Sequence, residues 1–355
     1  MSGLAIAARP AYEFLLSVTA FVTPHRVDSY DLGPSWFADA ETALGPAESA
    51  GLRALTSGCE HVFVRLLSVA HDLPAPGGVT ELLAHLDAMS AAELRLTLLG
   101  YYSRRTRRRA TPEAIAAAAS GDPDAQRSFV TATADGPECE AALRTLLGTP
   151  PADLRTAVLE RLAAWGDRFF VGQMATIGPV LEREVDRLRH RAAELDRDRF
   201  LEEATNGGSV VAEPGTDTIE VFPHWSLRPW NVFWEHGSSQ IVGVPVPAEH
   251  ASVDPDDPPD RLVSLAKALG DERRLRILRR LSGGSYTLQE LADHFAIPKT
   301  TLLHHLVMLR AAGIVRVGPG TAGRYSLRPE VPRELQRLLE AYLPVVPPDR
   351  PRRDP

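Results

Sequence analysis

Along the last quarter of the chain the apolar positions first recur at helical spacing and then switch to short β-rich runs, an order that predicts a complete set of elements. Leu262, Leu265 and Leu269 form a stripe on one helix, and Leu335, Leu338, Leu339 and Tyr342 form another near the end. Between them Thr287 is placed to cap a helix. Glu290, three residues on, completes a capping box ahead of the apolar positions Leu291 and Phe295. Ala296-Ile297-Pro298 then forces a turn, because proline disfavours helix at the preceding residue yet suits the start of the next one. A second helix is predicted from about Lys299 to Ala312, with Gly313 as its left-handed stop. On a 3.6-residue wheel Leu302, Leu306 and Leu309 share one side, while Thr300, His304 and Val307 fall opposite. Ile314 to Val317 and Arg324 to Leu327, joined by the glycine-rich Gly318 to Gly323, read as a β-hairpin. The tip spells GPGTAG, but a dinucleotide site is rejected: a strand and then Pro329 follow the glycines where that motif needs a helix.

Upstream the pattern is mostly helical, with helices expected at 11–22, 46–70, 80–88, 90–103, 111–119, 123–133, 137–147, 151–169 and 176–204. The last carries Leu181, Val185, Leu188, Ala192 and Leu195 as one apolar stripe, expected to pack within the chain rather than on a second copy. After Asn206-Gly207-Gly208 the period changes. Ser209 to Ala212, Thr218 to Phe222, Val232 to Glu235 and Gln240 to Val244 read as strands of a small antiparallel sheet. The fold class is therefore mainly α: a helical N-terminal domain closed by that sheet over 1–245, a linker over 246–259, a winged helix-turn-helix over 260–343 and a disordered tail over 344–355.

The run LVSLAKALGDERRLRIL, then TLQELADHFAIPKTTLLHHLVMLRAAGIV, then the hairpin resembles the ArsR class of bacterial winged-helix repressors. The resemblance covers the last quarter of the chain and implies a DNA-binding transcriptional regulator acting as a homodimer, with the module's first and last helices at the subunit interface. Metal-sensing members carry thiol ligands in the first helix of the helix-turn-helix. Thr287 to Phe295 has no Cys, so no metal is expected there. Leu303 stands where many relatives have a small polar residue, which speaks against base readout from that position.

Charge sharpens this picture. The chain as a whole is at −7, but 260–330 holds twelve Lys or Arg against six Asp or Glu, and 1–259 holds 22 against 36. A basic module joined to an acidic body places the phosphate contacts in the module. Thr300 and His304 are the expected readers of base edges. Lys299 and Thr301 lie near the helix N-terminus, where free N–H groups favour phosphate. Thr287, Gln289, Arg316 and Arg324 complete the expected contacts to double-stranded DNA. His305 falls nearer the packed side of the helix, so a hydrogen-bonded interior role is expected for it.

Other chemistry is sparse. Cys59 and Cys139 are far apart and lack metal-ligand spacing, so neither a disulfide nor a zinc site is expected and a reducing cytoplasm is the simplest compartment. No uncharged run near the N-terminus approaches the roughly 18 residues of a spanning helix, so no membrane partner is expected. There is no H-E-x-x-H, G-x-S-x-G or P-loop, and Cys59 and His61 sit two apart on a helix, facing different ways. No enzyme activity and no cofactor are expected. The cluster VFPHWSLRPWNVFWEH could line an effector pocket through His224, Trp225, Arg228, Trp230 and Trp234, although aromatics more often complete a core. Five arginines among Arg104 to Arg109 could hold an anion, although cations at a helix end already have a reason to be there. The alternative to a sensing regulator is an N-terminal enzyme or scaffold with the winged helix as a targeting or protein-binding module.

Overall fold

The computed structural model describes residues 3–24, 29–208, 210, 215–247, 258, 260–317, 323–329 and 331–343. Of the strand expected at Ser209 to Ala212 only Val210 is described, and it is not in a strand; most of the hairpin tip and of the linker, and the tail from Pro344, lie outside the described residues. By packing, the chain divides into one unit of residues 1–194 with 212–246 and a second of 195–211 with 247–355. The first domain expected over 1–245 is thus interrupted: 195–211 belongs with the C-terminal unit.

The N-terminal unit is built around the helix Pro10–Val22, whose residues from Ala11 onward are all buried. Its polar side chains are satisfied in place. Thr19 donates to the Leu15 carbonyl at 2.7 Å, and Ser17 accepts from Trp165 Nε1 at 2.9 Å. Sheet strands β1 (Gly3–Ile6), β2 (Thr218–His224), β3 (Val232–His236) and β4 (Ser239–Pro245) lie in the order β1-β2-β4-β3. The expected antiparallel sheet is corrected here: β1 and β4 both run parallel to β2, and only β3 is antiparallel to β4. β2 and β4 are almost continuously buried, as strands covered on both faces must be, so their runs lack the alternation of a half-exposed antiparallel strand.

Helix boundaries shift where the backbone turns left-handed. The expected helix 46–70 is three pieces, Pro46–Thr56, His61–Val64 and Leu67–Asp72, and Ser57 and Gly58, at φ of 48° and 82°, make the first break. A helix Gly33–Leu44 was not anticipated. Pro151–Trp165 continues through one π-helical turn, Gly166–Phe170, into Val171–Glu194, and Asp196 caps a separate helix Arg197–Ala204 by accepting from the Arg199 N–H. On the long helix Leu181, Val185 and Leu188 are buried, and Leu181 packs with Ile177 and Val246.

The expectation of unpaired cysteines is also overturned. Cys59 and Cys139 form a disulfide across 80 residues, with Cα atoms 4.7 Å apart. The helices Pro46–Thr56 and Pro137–Gly148 pack on each other and bring the two thiols together, a proximity that spacing in sequence does not encode. Paired cysteines no longer point to a reducing compartment. Among the described residues no helix is long and apolar enough to cross a membrane.

His224 gives this unit a pH dependence. It is fully buried, its Nε2 donates to the Trp230 carbonyl at 3.0 Å, and Nδ1 has no hydrogen-bond partner. Burial pulls its pKa down to about 3. Below about pH 6.5 the unfolded chain takes up a proton that the folded chain refuses, so stability falls as pH drops from there toward 3. The expected slope from this residue is about 1.4 kcal/mol per pH unit. Urea titrations at pH 7 and 5.5 check it: His224→Phe should flatten the difference, and an unchanged slope would remove His224 as its source.

The C-terminal unit holds the helices Asp260–Leu269, Glu272–Leu281, Leu288–Phe295, Lys299–Ala311 and Val331–Tyr342, with strands β5 (Tyr286–Thr287), β6 (Val315–Val317) and β7 (Arg324–Leu327) in antiparallel order β5-β7-β6. Leu265, Ile277, Leu281, Leu291, Leu302, Leu306, Leu309 and Ile314 form its core. Arg261 ties the first and last helices, donating to both Glu334 oxygens at 2.6 and 2.8 Å. The fold class is mainly α, as expected.

Candidate nucleic-acid interface

The helix-turn-helix is set by local chemistry. The Thr287 side chain accepts from the Glu290 N–H at 3.2 Å and Glu290 accepts from the Thr287 N–H at 2.7 Å, the reciprocal capping box that starts the helix Leu288–Phe295. Ala296 ends it in the left-handed region at φ 52°, and Pro298 stands just before the next helix, Lys299–Ala311. Gly313 closes that helix at φ 57°; a Cβ there would run into Asn206 of the C-terminal unit's leading segment. Glycine therefore meets two demands at once, a backbone conformation and a close contact.

The faces of Lys299–Ala311 are sharply divided. Leu302, Leu306 and Leu309 are fully buried, and Lys299, Thr300 and His304 are exposed. Thr301 and Val307 are half-buried. His305 points inward as expected, but Nδ1 makes no hydrogen bond, lying 4.0 Å from the Asp271 carboxylate, and burial lowers its pKa. Leu303 and Met308 are exposed large apolar residues, Leu303 next to His304 in the sequence. Gln289 is exposed and donates to Asp293 at 2.5 Å.

The two arginines of the hairpin are held by acids. Arg324 donates to the Ser285 carbonyl at 2.6 Å and to Glu290 at 3.2 Å. The Thr287 N–H holds the Glu290 carboxyl below the usual range, with Arg324 adding to it. Arg316 donates to Glu202 at 2.6 Å and to Ser326 at 3.2 Å. Both arginines are about half-exposed, so these pairs contribute only about 0–1 kcal/mol and leave the guanidinium groups able to exchange a carboxylate for a phosphate. Glu202 and Asn206, which donor contacts from Arg316 and Arg328 tie to this unit, were not foreseen. They lie 114 and 122 residues from their partners, outside any spacing pattern.

The five residues expected to line an effector pocket are engaged in packing and hydrogen bonds in the N-terminal unit. His224 and Arg228 are buried, Arg228 stacks 3.8 Å from the Trp225 ring and donates to the Trp225 carbonyl, and Trp230 Nε1 donates to the Ser29 carbonyl. Trp234 donates to Ser68 at 2.9 Å and lines a cavity.

Comparison with known proteins bears on the C-terminal unit. The family model described as bacterial regulatory protein, arsR family, matches residues 271–317, from the cap of Glu272–Leu281 to the end of β6. The uncharacterized HTH-type transcriptional regulator MJ1325 of Methanocaldococcus jannaschii is 32% identical over 83 residues, 23% of this chain and 93% of that protein. The transcriptional repressor SdpR of Bacillus subtilis is 41% identical over 49 residues, 14% of this chain and 54% of that protein, about half its length. No solved structure matches. Local capping, the divided recognition helix and this likeness agree, and the chain belongs to the arsR family of bacterial regulatory proteins as a DNA-binding transcriptional regulator.

Proposed function

We propose that the protein is a cytoplasmic homodimeric repressor that grips a near-palindromic operator, with an N-terminal unit that senses an effector and carries out no catalysis. The observation that carries this reading is the exposure of Thr300 and His304 over a fully buried Leu302-Leu306-Leu309 rib, in a segment of +6 charge. Two such helices reach successive major grooves when about 34 Å apart. Leu339 and Leu343, 40% and 56% exposed near the end of the last helix, support dimerisation through that helix. The likeness to SdpR, a transcriptional repressor, supports repression. An effector would act by binding one dimer geometry better than the other.

The test is a gel shift at two salt concentrations on the DNA upstream of the protein's own gene. Arg324→Ala should weaken binding to every sequence and lower the salt slope by about 1. His304→Ala should blur preference at particular bases, by about 1–3 kcal/mol per lost contact. If both variants bind like the parent, the contacts are misassigned.

A further inference from the structure

We infer that the N-terminal unit holds a binding site for a small organic anion with an apolar body, an acidic group and an N–H or O–H donor. The site stands on its own geometry; its regulatory meaning rests on the sensing function proposed above. A cavity of about 250 Å³ opens between the short helix Arg104–Arg107, β3 and β4. An apolar cavity of about 150 Å³ holds benzene, so this one takes a ring with two substituents, about ten non-hydrogen atoms.

Its polar wall is cationic. Arg65, Arg105, Arg108 and Arg109 line it against two carboxylates, Asp135 and Glu235. Arg65 is 7% exposed and is anchored by donating to the Leu98 carbonyl at 2.6 Å. Burial lowers its pKa only to about 10, so it remains charged at neutral pH. Asp135 receives Arg105 at 2.9 Å and Arg109, with His61 at 3.6 Å. Burial alone would raise its pKa, but Arg109 and Arg105 outweigh that and hold the carboxyl below the usual range. Four arginines face two carboxylates in the lining, the excess of positive charge that draws in an anion. The opposite wall is apolar, formed by Val64, Phe233 and Trp234, and Phe233 remains 43% exposed.

Gln240 adds the second, independent sign. It is only 9% exposed, it lines the cavity, and its side-chain oxygen has no hydrogen-bond partner. An unmet buried acceptor is destabilising, and a turn of the Gln240 amide toward the cavity lets a ligand's donor meet it. Charge selects an anion, the aromatic wall an apolar body, and Gln240 an N–H or O–H on that body. The arginine run that reads in sequence as a solvated helix end is, on this geometry, one wall of a pocket.

Calorimetry on the full chain tests this without DNA, with 4-hydroxybenzoate, benzoate and inorganic phosphate as probes. At millimolar concentration 4-hydroxybenzoate should bind with heat, benzoate about fivefold more weakly for want of the donor, and phosphate least for want of the apolar body. Gln240→Leu should abolish the difference between 4-hydroxybenzoate and benzoate. Arg105→Gln with Arg109→Gln should weaken both about tenfold while the thermal melt stays in place. Absence of binding by all three probes overturns the site, as does binding indifferent to these substitutions. Failure of the protein to shift DNA would count against the repressor reading alone, since the calorimetric result is obtained without DNA.

Discussion

Leu306→Ala should cost the C-terminal unit roughly 3 to 5 kcal/mol and take DNA binding with it. Leu306 is fully buried between Leu302 and Leu309 in the core that also holds Ile277, Leu291 and Ile314. Truncation removes about three carbons from that packing and leaves a cavity the neighbours fill only in part. Domains have only about 5–15 kcal/mol of stability in total, so the loss removes a large share of what keeps the unit folded. The control is Leu303→Ala, one residue away but 41% exposed, which should cost under about 1 kcal/mol. Urea titration followed by circular dichroism and by gel shift compares the two. Equal losses would mean that the helix does not pack as described.

Glu13→Ala should destabilise the N-terminal unit by about 3 to 5 kcal/mol. Glu13 is 1% exposed on the central helix. Its carboxylate accepts from the Trp225 N–H at 2.8 Å and the Ser226 N–H at 2.9 Å, and also from the Ser226 hydroxyl. Removing it takes the acceptor from the part-buried Trp225 N–H and the buried Ser226 N–H and opens a cavity at the end of β2. Ser226→Ala, which removes only the hydroxyl, should cost about 1 kcal/mol. Thermal melting of the full chain checks the order. A Glu13→Ala melt no lower than that of Ser226→Ala would show that the carboxylate does not hold these strands to the helix.

The two residues also mark what could be read in advance. Leu306 belongs to a pattern complete within thirteen residues, and the Thr287–Glu290 box, Pro298 and Gly313 act on backbone one turn away. Interactions of such short range impose their period on the chain, so the recognition helix, its buried rib and its exposed Thr300 and His304 were legible. The candidate DNA contacts Arg316 and Arg324 were legible as types, but their carboxylate partners were not, because Glu202 is 114 residues from Arg316.

By itself, then, the sequence determined the mainly helical class, the winged helix-turn-helix and the segregation of positive charge into it, since each follows from spacing or composition. Only the tertiary structure decided that Cys59 meets Cys139, that β1 and β4 run parallel to β2, that Glu13 receives Trp225 and Ser226, and that Arg65, the arginine helix and Gln240 enclose one cavity. Those pairings join residues tens to hundreds of positions apart. The chain closes such loops through the packing of whole helices and strands, and no local period records which distant partner each residue will find.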